Sequence, residues 1–305
     1  MKRVDFENGT ITSNILGASL PMLVAQILSL LYNIVDRIYI ARIPHIGTAA
    51  LGAVGLCFPV IVIITAFSNL FGSGGAPLFS IERGKNEPQE AKKIMNISFS
   101  MVCICAIVLM VIGFLFARPI LVLFGASKDA LIYAYPYLML YLIGTLPSMI
   151  ATGMNPFINA QGYAIIGMLS VTVGAVANII LDPIFIFVLD MGIKGAAIAT
   201  VISQILSALL VFYFLHGKSE LKVRWIHINE ISECTRHARD IISLGSAGFI
   251  MQLTNSLVSI VCNNVLSVTG GDIYISVMTI ISSVRQLVET PIYAMNEGGS
   301  PILSY

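Results

Sequence analysis

Charged side chains are scarce in this sequence. Asp, Glu, Lys and Arg make up 11% of the 305 residues, whereas 57% of the residues are hydrophobic. Soluble domains carry roughly 25% charged residues. The formal net charge is only +1, and no block of basic residues alternates with aromatic ones, as nucleic-acid-binding surfaces require. The composition therefore predicts a polytopic membrane protein whose partner is the lipid bilayer rather than nucleic acid.

Motifs for metal binding and catalysis are also lacking. The five cysteines are scattered and form no CxxC pair or Cys/His spacing of the kind that binds zinc. No hydrophobic run contains an HExxH motif, a Ser/Lys pair or a GxGD pair. We therefore expect no enzymatic activity, no cofactor and no structural metal site.

Eight hydrophobic runs are long enough to cross a bilayer, whose core needs about 20 apolar residues per helix. They lie near residues 15–41, 47–72, 94–117, 131–153, 165–189, 194–215, 240–266 and 272–297. The one long polar segment, 216–239, is predicted to be a cytoplasmic linker between an N-lobe of six helices (1–215) and a partial C-lobe of two (240–305). Lys and Arg are more frequent on the N-terminal side of the runs, which predicts a plasma-membrane protein with a cytoplasmic N-terminus.

A short repeat connects the end of the second run with the end of the eighth. Gly74–Ser80 reads GGAPLFS, and Gly298–Ser304 reads GGSPILS. Because six helices, an even number, separate the two copies, both copies have the same orientation, as in parallel-repeat transporters. Nothing after the second copy corresponds to residues 81–215. We therefore expect a truncated form of a protein with about twelve helices.

Two aspartates lie inside hydrophobic runs, where a carboxylate costs roughly 2.5 to 3.5 kcal/mol. Asp36 is in the first run and Asp182 in the fifth, where Asn178 lies one turn earlier on the same helix face. Thr200 enters the sixth run at a comparable depth. Two carboxylates in one low-dielectric pocket cannot both stay ionised cheaply. We therefore predict a shared site for a proton, or for Na⁺, which also prefers oxygen ligands.

Structural alternatives to this ion site stay open. Asn178 and Thr200 could simply hydrogen-bond neighbouring helices, and Asp36 could pair with the adjacent Arg37. Pro21, about four turns before Asp36, removes a helix hydrogen bond and predicts either a hinge or a fixed bend.

Glu289 is a candidate substrate-binding residue in the eighth run. It could face a central cleft and attract a cationic substrate. Arg285 lies four residues earlier, so a self-neutralising ion pair is the alternative interpretation.

The motifs resemble those of the multidrug and toxic compound extrusion (MATE) family. They are Pro21, Gln26 and Asp36 in the first run, GGAPLFSIERGK after the second, NAQG after the fourth, NIILDP in the fifth, and Gly195 to Thr200 in the sixth. The resemblance implies an all-α polytopic membrane fold with a six-helix N-lobe and the first two helices of a C-lobe. It also implies an antiporter that exports organic cations or drugs by alternating access in exchange for protons or sodium. In that mechanism Asp36, Asn178, Asp182 and Thr200 would bind the ion and the helix around Pro21 would bend.

Two other functions stay open. A lipid-linked saccharide flippase of the same superfamily would need basic residues for pyrophosphate, and the hydrophobic runs contain only Arg37 and Arg285. The second alternative is a truncated membrane fragment that does not transport.

Overall fold

The computed structural model describes residues 11–225 and 231–304, and within these ranges the chain is helical and contains no strand. The helices are α1 (Ile11–Ala41), α2 (Gly47–Gly84), α3 (Pro88–Leu123), α4 (Lys128–Ile143), α5 (Thr145–Ala160), α6 (Ala164–Pro183), α7 (Gly192–Tyr213) and α8 (Ile231–Ser304). Short π-helical segments, Ile184–Val188 and Phe214–Lys218, extend α6 and α7. The predicted all-α membrane fold is confirmed.

Parts of two sequence predictions lie outside the described residues. Residues 1–10 and 226–230 are among them, and with them the N-terminal basic residues and part of the predicted linker. The backbone of α8 includes the second copy of the repeat, but side chains are not described for residues 290–304.

The predicted spans correspond to the helices with one correction. Six helices of the described chain are long and apolar enough to span a membrane, and the pair formed by α4 and α5 is a seventh candidate bent by 56°. The straight run predicted at 131–153 is therefore wrong, because Gly144 separates two shorter helices there. Counting α8 as two spans gives the predicted eight.

Gly271 divides α8 into two segments, 231–270 and 272–304. Its backbone has φ 66° and ψ −162°, a region that is accessible essentially only to glycine. The break lies between the runs predicted at 240–266 and 272–297. The direction of the chain therefore changes where the sequence predicted a turn between two spans.

Small residues allow the helices of the N-lobe to pack closely. A Cβ atom added to Gly72 of α2 would collide with the carbonyl oxygen of Gly153 on α5. One turn or two further along, Phe79 and Phe157 pack edge to face with ring centroids 5.6 Å apart. Close approach of this kind replaces the hydrophobic effect as a stabilising contribution inside a bilayer.

α8 packs along α2 on both sides of the Gly271 break. On the side of the bundle where α1 joins α2, the Ser276 hydroxyl donates to the Thr48 carbonyl at 3.0 Å. The Asn263 amide donates to the Gly55 carbonyl at 3.3 Å. Nearer the middle of α2, the Ser256 hydroxyl donates to the Pro59 carbonyl at 3.1 Å.

The opposite side of this interface is a contact between two glycines. A Cβ added to Gly245 of α8 would collide with the Leu70 carbonyl oxygen on α2, and one added to Gly74 would collide with the Ile241 carbonyl oxygen. Phe67 and Phe249 pack beside this crossing with ring centroids 4.7 Å apart. The first segment of α8 is thereby held against the N-lobe at this end of the bundle.

The first part of the predicted linker is docked on the N-lobe. The Leu221 N–H donates to Gln161 Oε1 at 3.1 Å, and Gln161 Nε2 donates back to the Leu221 carbonyl at 3.4 Å. Arg83 donates to the Ala160 carbonyl at 2.8 Å and forms a 3.2 Å ion pair with Glu220. Residues 219–225 therefore form part of the N-lobe surface.

Replacing Arg83 by Gln is expected to lower the free energy of unfolding by about 2 kcal/mol. The Arg83 side chain is 8% exposed, and losing a hydrogen bond from a buried charged group typically costs about 1.5 to 3 kcal/mol. Denaturant unfolding in detergent measures the change. Lys85→Gln is the matched control, because the Lys85–Glu82 pair is exposed and such pairs contribute less than about 1 kcal/mol. Equal losses in both variants would contradict this assignment.

Candidate ion-binding site

α6 places Asn178 and Asp182 in the interior of the N-lobe. Asp182 is 0% exposed and Asn178 is 1% exposed. Asn178 Nδ2 donates to Asp182 Oδ1 at 3.3 Å and to Thr200 Oγ1 of α7 at 3.4 Å. The structure therefore brings together the three residues that the sequence predicted on the fifth and sixth runs.

Asp182 lies where regular α-helical structure ends. Pro183 follows it and lacks an N–H, and the chain continues as the π-helical segment Ile184–Val188. Short π-helical segments occur frequently at functional sites because they change the direction of side chains.

Asp36 brings the second carboxyl group from α1, which packs against α6. The Asp36 and Asp182 side chains are hydrogen-bonding neighbours. Because ionised carboxylates are acceptors only, a hydrogen bond between them requires a proton on one of the two groups. The arrangement therefore binds a proton between two helices.

The pocket is rich in acceptor oxygens. Apart from the contact between the carboxyl groups, Asp36 Oδ1, Asp182 Oδ2 and Asn178 Oδ1 are buried and receive no hydrogen bond from the described part of the chain. The Thr200 hydroxyl donates its proton to the Ala196 carbonyl at 3.0 Å, which directs oxygen lone pairs toward Asn178. An oxygen-only set of this kind suits a proton or a small hard cation.

Two tyrosines near the aspartates were not predicted from the sequence. Tyr32 on α1 and Tyr137 on α4 lie within electrostatic reach of both carboxyl groups. Tyr32 precedes Asp36 by four residues, so its position on the same helix face could have indicated it. Nothing in the sequence of α4 indicates that Tyr137 faces this pocket.

Arg37 points away from the ion-binding pocket. Its Nη1 donates to the Thr279 carbonyl of α8 at 3.1 Å, and its Cζ lies 5.7 Å from the centroid of the Phe58 ring. Adjacent residues on a helix project in directions about 100° apart. Asp36 and Arg37 therefore face two different compartments, the N-lobe interior and the interface with α8.

The remaining two candidate residues lie away from the carboxyl pair. Pro21 lies within α1, which continues through it as a helix. The next residue, Met22, accepts a hydrogen bond at its Sδ from Asn159 Nδ2 at 3.2 Å. Glu289 forms a 3.6 Å ion pair with Arg285, and the two side chains are 42% and 57% exposed. The ion pair described above as an alternative is therefore present, and attraction of a substrate by Glu289 stays a prediction.

Comparison with known proteins identifies the family. The MatE family model matches residues 21–184, which include three of the four ion-site residues. The chain belongs to the MatE family. The multidrug export protein MepA of Staphylococcus haemolyticus is 27% identical over 300 residues, which cover 98% of this chain and 65% of that protein. MepA of Staphylococcus aureus is 25% identical with the same coverage. This MatE chain thus spans just under two thirds of the length of these curated relatives.

Solved MATE structures share the fold. The multidrug transporter DinF-BH, solved with a bound drug, has a TM-score of 0.90 and 29% identity, covering 100% of this chain and 68% of that one. A MATE transporter of the MOP superfamily in an outward-facing conformation has a TM-score of 0.86 and 26% identity, covering 99% and 66%. The inward-facing conformation gives 0.79 at 26% identity, covering 91% and 63%. This MatE chain is therefore a multi-pass membrane protein, and its conformation is more similar to the outward-facing structure.

Proposed function

We propose that the protein is a cation-coupled antiporter that exports amphipathic or cationic small molecules from the cell by alternating access. The observation that carries this proposal is the pocket in which the Asp36 and Asp182 carboxyl groups, from separate helices, meet beside Asn178 and Thr200. The proposal places the protein in the plasma membrane with its N-terminus in the cytoplasm.

Binding of the ion would control the position of α1. With both carboxylates ionised, repulsion separates α1 from α6, whereas a shared proton or a bound Na⁺ removes the repulsion and draws the helices together. Pro21 would let the outer part of α1 bend in response. Because Arg37 is adjacent to Asp36 and contacts α8, this movement would change the interface between the lobes.

The relatives support drugs as substrates. MepA is named a multidrug export protein, and the structure of the multidrug transporter DinF-BH contains a bound drug. In this protein we assign Glu289 the attraction of the cationic part of a substrate. Its ion pair with Arg285 would have to open for that contact.

The test is efflux of a fluorescent cationic dye from proteoliposomes that contain the full-length protein, with proton and sodium gradients imposed separately. We expect one inward ion gradient to drive dye accumulation and an ionophore for that ion to abolish it. Dye movement that is independent of both gradients, or no movement under either, would refute the proposal.

Replacing Thr200 by Val, which has nearly the same shape without the hydroxyl, is expected to weaken the apparent affinity for the coupling ion about fivefold. Loss of one hydrogen-bonding oxygen corresponds to about 1 kcal/mol. The ion dependence of the initial efflux rate gives the affinity. Thr200→Ser keeps the hydroxyl and is expected to behave as wild type. A normal affinity in the Val variant would remove Thr200 from the site.

A further inference from the structure

A small cavity lies between the N-lobe and α8, outside the ion-binding pocket. Residues from α1, α2 and both segments of α8 line it, among them Arg37, Phe58, Ser259, Asn263, Thr279 and Ser282. It is therefore open to a molecule that enters between the lobes, and it is separated from Asp182 by the width of α1.

The charge of this cavity has one sign. Arg37 is the one charged residue among the described residues that line it, and the other polar lining groups are hydroxyl, thiol and amide groups. The guanidinium is held in place by the Thr279 carbonyl at 3.1 Å and by the face of the Phe58 ring. A positioned guanidinium matches the planar geometry of a carboxylate and binds it with charge-assisted hydrogen bonds.

A negative group lies at a suitable distance along α8. Glu289 follows Ser282 by seven residues and so lies on the same side of the helix, about 10 Å along its axis. A molecule with a cationic and an anionic end would meet opposite charges at the two ends of this path.

We propose that the Arg37 cavity binds the carboxylate, or another anionic group, of an exported amphipathic molecule. The substrates then include zwitterions as well as simple cations. This inference rests on the proposed export function and adds to it a second, oppositely charged subsite. Movement of α1 would carry Arg37 with Asp36, so that occupation of the ion site changes the affinity of the cavity.

The test compares two forms of one xanthylium dye, the zwitterionic free acid and the cationic ethyl ester. Binding of each to the purified full-length protein is measured by fluorescence anisotropy for wild type, Arg37→Gln, Arg37→Lys and Arg285→Gln. We expect Arg37→Gln to weaken binding of the acid at least about tenfold and of the ester less than about twofold. Arg37→Lys should restore part of the affinity for the acid, and Arg285→Gln should show no selective loss of the acid.

The outcomes separate this inference from the proposed function. If the wild type binds and exports the ester and Arg37→Gln affects acid and ester equally, Arg37 is a contact between the lobes and the subsite is refuted. An unchanged affinity of Arg37→Gln for the acid refutes it as well. If the wild type binds and exports neither form, the export function fails and the subsite with it. Should Arg37→Gln not fold, as judged by its thermal transition, a smaller acid affinity of Arg37→Lys relative to its ester affinity decides in the same way.

Discussion

Asp182→Asn is expected to abolish ion-driven efflux while the protein stays folded. The amide has nearly the shape of the carboxyl group and can keep the 3.3 Å contact with Asn178, but it cannot bind and release a proton at neutral pH. It also removes one of the two charges whose repulsion would separate α1 from α6. We expect the efflux rate under an imposed gradient to fall at least about tenfold, which corresponds to about 1.4 kcal/mol.

Asp190→Asn is the matched control for this variant. Asp190 is exposed and lies beyond the π-helical segment with φ 50°, a conformation that asparagine also tolerates. Its efflux rate should equal that of wild type. Undiminished efflux in Asp182→Asn, measured in the same vesicles and with the same amount of protein, would remove Asp182 from the mechanism.

Gly245→Ala is expected to reduce transport by a comparable factor for a different reason. The added methyl group would collide with the Leu70 backbone of α2, and two backbones that meet at a glycine contact cannot separate slightly without losing their packing. The variant should therefore disfavour the state in which this end of the bundle is closed. Alanine is a better helix former than glycine, so α8 itself should not be weakened.

The control for the glycine variant lies one turn further along α8. A Cβ added to Gly248 would have no atom within 4 Å, so Gly248→Ala should transport normally. Labelling of a cysteine introduced beside Gly74 measures how often this end is open, and labelling should become faster only in Gly245→Ala. Equal labelling rates in the two variants would contradict a gating role for this contact.

Much of the fold follows from hydropathy, and its failures have physical causes. The spans of α1, α2, α3, α6 and α7 could be predicted because a bilayer imposes a minimum length on an apolar helix. The bend between α4 and α5 could not, because Gly144 lies within a continuous apolar run and hydropathy does not report backbone direction. Docking of residues 219–225 depends on Gln161, which is distant in the sequence.

The ion-binding pocket was predictable for the same reason that it is unusual. A carboxylate inside an apolar run is costly, and the four-residue spacing of Asn178 and Asp182 fixes their common face. Which residues of other helices face this pocket depends on the rotation of each helix about its axis. That rotation brings Tyr137 close to the aspartates and turns Arg37 toward α8, and the sequence alone did not indicate either result.

The central claim is that Asp36 and Asp182 form one ion site. The most direct measurement is the number of coupling ions bound per molecule of the purified full-length protein, in wild type, Asp36→Asn, Asp182→Asn and the double variant. Since residues that act as one unit are not additive, the account predicts that each single variant and the double variant lose the same one ion. Loss of two ions in the double variant, or full binding in either single variant, would contradict it.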